Sequence, residues 1–257
     1  MRNNQLQQVI KGLLKWRKKI IYSTPLKAMI AEVLWTDYTD TKAYKFLYYL
    51  KNRGYLMPIK KDIFFVKLPE DFIAESLVLE DYYWDILHHH CTHNLGKKRY
   101  IGWLVALELQ RGNREIPESL QIVNPTKQAK ETIVTGKHVL FKKYTTKTTN
   151  HFARFEKWTT KIKIGKHSFP IANLELALLE TLYNYDSTSA VYAREAVKKV
   201  LKKISPQRLP MFEQIIKLGK HHSSINRLYK LAKTLNPPLA EWLGEVIKRN
   251  SFFLDVE

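Results

Sequence analysis

Apolar residues recur at helical spacing through the first part of the chain. Leu6, Val9, Ile10, Leu13 and Leu14 mark one face of a helix over about 4 to 20, and a second helical pattern covers about 25 to 35. The third pattern is sharper. Ala43, Phe46, Leu47 and Leu50 fall at i, i+3, i+4 and i+7, Thr39 or Asp40 stands where a helix needs an N-terminal cap, and Gly54 supplies a left-handed stop. The period then changes: residues 55–57 and 63–67 are short apolar-rich runs that can pair as strands around Lys60, Lys61 and Asp62. Three helices followed by a basic hairpin predict a winged helix-turn-helix over residues 1–70. The polar side of its third helix carries Thr41, Lys42, Lys45, Tyr48, Tyr49 and Asn52.

Residues 71–185 change character twice. A helical stretch holding several histidines leads into a helix predicted from Arg99 to Gln110. The runs LQIVNP, ETIVT, HVLFKKY and TKIKIGKHSF, rich in β-branched and aromatic residues and separated by turn formers, then predict a small sheet. IANLELALLETLYN returns to helix, with Leu174, Ala177, Leu178 and Leu182 as its buried face and Glu175 and Glu180 expected on its surface. Residues 186–257 read as helical throughout. Ala193, Ala196, Val197, Val200, Leu201 and Ile204 form one face opposite Arg194, Lys198, Lys199, Lys202 and Lys203, and later helices near 207–218, 223–235 and 239–249 are separated by Gly219 and by Asn236-Pro237-Pro238. The expectation is an α+β protein in three parts: a winged helix (1–70), a central mixed domain (71–185) and a helical C-terminal region (186–257).

Charge says what such a surface would meet. The chain has 43 Lys and Arg against 24 Asp and Glu, a formal +19, distributed as +9 in residues 1–70, +4 in 71–185 and +6 in 186–257. An excess spread this widely points to a polyanion. A helix fits the major groove of double-stranded DNA, where Lys42 and Lys45 can reach phosphates or guanine edges and the hairpin lysines Lys60 and Lys61 the neighbouring backbone. Lys198, Lys199 and Lys202 offer either a phosphate-tracking strip or a solvated helix face. A single cysteine suits a reducing cytoplasm, and no run approaches the ~20 apolar residues of a membrane helix. The first 22 residues hold six bases and no acid, a composition shared with transit peptides. Their helical spacing and the lack of a small-residue cleavage site favour a structural helix instead.

Candidate chemistry is sparse. DILHHHCTHNL concentrates His88, His89, His90, Cys91 and His93, and His89 and His93 stand at i and i+4, but zinc needs further ligands and His151, His167, His221 and His222 are isolated along the chain. A helix end with histidines near its C-terminal dipole accounts for the cluster without a metal. No phosphate-binding glycine loop, zinc-protease or nucleophile-elbow motif is present. The only set that would suit a metal-dependent nuclease is Glu108, Glu115, Glu118 and Glu131, which lacks a recognisable Asp…Glu-x-Lys arrangement. The sequence therefore predicts a binding protein without a cofactor, not an enzyme.

The run KKRYIGWLVALELQRGNREIPESLQIVNPTKQAK, followed by HVLFKKY and HSFPIANLELALLETLYN, resembles the AbiEi-like antitoxins of type IV toxin–antitoxin (abortive infection) systems. The positions that carry the resemblance are Tyr100, Gly102, Ala106, Leu107, Gly112 and Pro117, then Glu175, Ala177, Leu178, Leu179 and Glu180. It covers residues 25–185 and, more loosely, the C-terminal region. The stretch before the Ala-Leu pair is bulkier than the family's, with Trp103, Leu104 and Val105. The resemblance implies an N-terminal winged helix joined to an antitoxin domain, repression of a promoter, and a nucleotidyltransferase-like toxin as partner. The alternatives are a winged-helix DNA-binding regulator with no toxin partner and, as the enzyme reading, a metal-dependent nuclease.

Overall fold

A computed structural model describes the chain except for residues 1–2, 17–18, 61, 73, 128–131, 145–150, 184–189, 219–220 and 251–257. It is a mixed α+β protein with two sheets. The chain divides into two compact units, Met1–Leu87 and His88–Glu257. The division differs from the three parts the pattern suggests: residues 71–87 join the first unit, and no break falls near residue 185.

The first unit runs α1 (Asn3–Leu14), β1 (Ile20–Tyr22), α2 (Ser23–Leu34), α3 (Asp40–Asn52), β2 (Leu56–Lys60), β3 (Ile63–Val66) and α4 (Glu75–Asp81). Leu6, Val9, Ile10 and Leu13 of α1 are all in its core, so this helix is part of the fold, while Leu14 at its end is exposed. The helix stops at Leu14 instead of reaching 20 because Ile20–Tyr22 pair as a strand with β3, in the register Ile20↔Phe65 and Tyr22↔Ile63. The sheet order is β1-β3-β2, all antiparallel. Its central strand β3 is buried at every position, whereas Pro58, which has no N–H to give a ladder, sits in the edge strand β2.

The second unit takes up α5 (Tyr83–Leu95) from His88 onward, then β4 (Tyr100–Ile101), α6 (Trp103–Gln110), β5 (Ser119–Asn124), β6 (Thr132–Val134), β7 (Lys137–Lys143), α7 (His151–Phe155), β8 (Thr159–Ile164), β9 (His167–Ala172) and α8 (Leu174–Tyr183). Four helices follow: α9 (Ala190–Leu201), α10 (Leu209–Ile216), α11 (His222–Leu235) and α12 (Pro237–Arg249). The sheet order is β6-β7-β5-β4-β9-β8, with β5–β7 and β4–β9 parallel and the other pairs antiparallel. The pattern's helix from Arg99 begins only at Trp103, because Tyr100 and Ile101 are drawn into the sheet between Val123 and Ile122 on one side and Ile171 on the other. α8 is the hub: Glu175 to Leu182 are all buried, and α6, α9, α10 and α11 pack around it.

Candidate nucleic-acid interface

Local chemistry builds α3 as the pattern requires. The Thr39 side chain accepts a hydrogen bond from the Lys42 N–H at 3.2 Å, satisfying one of the donors a helix start leaves open. At the other end Gly54 adopts φ +78°, its N–H donates to the Lys51 carbonyl, and the Tyr55 N–H reaches back to Leu50 at 3.0 Å. Between these stops Ala43, Phe46, Leu47 and Leu50 are buried. Thr41, Lys42, Lys45, Tyr48, Tyr49 and Asn52 are all exposed. The helix thus offers solvent a continuous polar and aromatic face, with the rings of Tyr48 and Tyr49 edge to face at 5.9 Å.

The lysines on this face are not equivalent. Lys42 lies 4.0 Å from Asp37, which offsets part of its charge, while Lys45 has no ion pair among the described residues. Lys60 stands within β2, not at a hairpin tip, since the described ladder runs on to Lys60↔Ile63 through an irregularity after Pro58. Lys61 lies outside the described residues. Asp62, at φ +65°, accepts the Ser23 hydroxyl at 2.8 Å and the Ser23 N–H on its carbonyl at 3.0 Å, so the hairpin is fastened to the start of α2. Tyr48 and Lys60 line one hollow of about 420 Å³ with Lys27 and Lys51. Sequence reasoning missed those last two lysines. Lys27 comes from α2, whose polar side no local signal assigns to the face; its ammonium packs 4.6 Å from the Tyr44 ring and 3.8 Å from Asp40.

The second unit holds the other candidates. Lys199 and Lys202 of α9 are exposed, and Lys198 is half-buried and bonded to Glu195 at 2.9 Å, which holds the Glu195 carboxyl below its usual range. Lys199 faces a cavity of about 690 Å³ between α6 and α9, lined also by Glu108, Glu115 and Glu118. These three acids share a cavity, but Glu108 is engaged by Arg111 at 2.8 Å, Glu118 by Lys137, and Glu115 by the Asn113 amide at 3.4 Å. Glu131 lies outside the described residues. Among the described residues, the set that brings three metal-capable atoms together is instead His88, His89 and His167.

Glu175 and Glu180 are the clear corrections. Both are fully buried, not on the surface of α8. Glu180 accepts the Tyr100 hydroxyl at 2.8 Å and the Trp103 N–H at 3.1 Å, and Tyr144 also hydrogen-bonds to it. Burial first, and then the neighbouring carboxyl, push the Tyr100 and Tyr144 hydroxyls well above the ordinary tyrosine range. A Cβ at Gly102 would lie 2.5 Å from Glu180 Oε2, so a larger residue there would displace the carboxylate from its donors. Glu175 pairs with Arg208 at 2.5 Å. Of the positions that carry the resemblance, Tyr100, Gly102 and Glu180 meet in one buried node, which holds α8 against the turn from β4 into α6.

With this arrangement in view, comparison with solved structures finds the crystal structure of the RV2827C protein from Mycobacterium tuberculosis, at a TM-score of 0.60 and 13% identity, covering 94% of this chain and 81% of that one. The likeness is one of fold. No protein-family model matches the chain, and no curated protein matches it. The match spans both units. No helix among the described residues is long and apolar enough to cross a membrane.

Proposed function

We propose that the chain is a double-stranded DNA-binding regulator whose first unit is a winged helix with α3 as its reading helix and β2–β3 as its wing. One observation carries this reading: a capped helix with every core position buried and every polar candidate exposed, seated on a three-stranded antiparallel sheet in the order α1-β1-α2-α3-β2-β3. A helix of this kind fits the major groove, its lysines and tyrosines can contact phosphates and base edges, and Lys27, Lys51 and Lys60 add cations beside it. Following the resemblance in its sequence, the chain acts in the cytoplasm as the antitoxin of a type IV system, repressing its own promoter and counteracting a nucleotidyltransferase-like toxin. A regulator with no toxin partner is the second reading; it shares the same interface.

The test is a fluorescence titration of a duplex containing the chain's own promoter at several salt concentrations. Neutralising about six phosphates gives a slope of log K against log salt near −5. Because Lys42 already faces Asp37, Lys45→Ala lowers affinity more than Lys42→Ala does, and Lys230→Ala on α11 changes it little. A slope near zero, or equal losses in all three variants, overturns the assignment of α3 as the reading helix.

A further inference from the structure

We propose that His88, His89 and His167 form a binding site for a divalent transition-metal ion of the zinc class. His88 and His89 are consecutive on α5, and His167 is the first residue of β9, brought to them by the β8–β9 hairpin. Their nitrogen ligand atoms all lie within 4.8 Å of one another. All three side chains are half-buried, so a bound ion would be partly shielded from water yet reachable.

The three rings pack against one another. His88 and His167 stack at 4.1 Å with 15° between planes, and His89 meets both nearly at right angles, at 5.7 and 5.8 Å. Phe169, two residues along β9 and buried, packs edge-on against His88 at 5.6 Å and His167 at 6.4 Å, giving the group an apolar wall. A tetrahedral ion with bonds of about 2.0–2.1 Å to imidazole nitrogen places its ligands about 3.4 Å apart. Closing from the present span requires the stacked His88 and His167 rings to turn so that a nitrogen of each faces the ion.

The donor set selects the ion. Three imidazoles and no carboxylate suit zinc, copper or nickel and do not suit magnesium or calcium, which need oxygen. Three protein ligands leave a fourth position for water, the pattern of an exchangeable or reactive site and not of a closed structural one. Cys91, although buried nearby on α5, is not among the converging atoms, so the site is thiolate-free. The local pattern lacked the third ligand, and the fold supplies it.

The test uses the full chain without a polyhistidine tag and zinc chloride as the probe, followed through the imidazole nitrogen resonances at neutral pH. The expected result is saturation near one equivalent, with the signals of His88, His89 and His167 shifting and that of His93, exposed on the same helix, staying in place. His167→Gln weakens zinc binding by at least about ten-fold, while His93→Gln leaves it unchanged. If His167→Gln loses its helical circular dichroism, the wild-type spectra decide. Zinc that fails to saturate, or that shifts His93 as strongly as the three, shows histidines packed for shape alone and overturns the site.

Discussion

At the scale of single residues, Glu180 shows how a side chain can look peripheral and be central. In LELALLETLY the two glutamates sit among apolar residues as the polar side of an amphipathic helix would, and nothing local shows that α8 is covered all round. The donors that make burial tolerable, Tyr100, Trp103 and Tyr144, come from distant parts of the chain. Tyr100→Phe removes one of them and leaves a buried acceptor less satisfied; thermal or urea unfolding should show a loss of about 1–3 kcal/mol. The same tyrosines set an alkaline limit. Their folded-state values are raised, so the unfolded chain ionises first: stability is whole below about pH 10 and falls as pH climbs past it. Tyr22 in the first unit shifts the same way, through burial and then Asp85. Urea midpoints measured from pH 8 to 11 should therefore decline only above about pH 10, and the decline should be shallower in Tyr100→Phe.

At the scale of elements, legibility followed how locally each one is encoded. α3 was readable because its cap, apolar face and glycine stop all lie within one short segment, and the cap side chain is bonded where the pattern puts it. Removing that bond with Thr39→Ala should cost about 1 kcal/mol in urea unfolding, and an unchanged midpoint would show that the cap contributes nothing. Strands β5 to β9 were readable from β-branched runs and turns. β1 and β4 were not: three and two residues long, they exist only through partners such as Phe65 and Val123, which no window of sequence contains. The histidine site has the same character. His88 and His89 were visible as a cluster, but His167 is isolated along the chain and meets them only through the β8–β9 hairpin.

At the scale of the whole molecule, the division at Leu87 alters the charge picture. Residues 71–87 contribute five acids and no base, so the first unit holds 14 Lys and Arg against 10 Asp and Glu (+4), and the second 29 against 14 (+15). On the proposed reading, non-specific attraction to a polyanion would come from both units, most strongly the second, while discrimination would rest on the α3 face. On the same reading, neutralisation of a toxin would belong to the second unit, which holds the positions that carry the resemblance. Growth separates the two roles. Expressing the neighbouring toxin gene alone should arrest cells, co-expression of this chain should restore growth, and a Lys42→Ala/Lys45→Ala variant should still rescue when the toxin is driven from an unrelated promoter. No rescue by the wild-type chain from an active toxin would leave the plain regulator as the function.

The parallel pairing of Ile101 with Ile171, reinforced by Tyr100 on Glu180, also bears on how the chain is made. A ribosome releases β4, β5 and β7 long before β9 and α8, so the β4 side of the larger sheet stays an open edge until β9 and residue 180 have left the exit tunnel. The smaller sheet closes by Val66. Synthesis from the N-terminus thus lets the first unit close first, while the larger unit passes through an interval with apolar strand edges exposed.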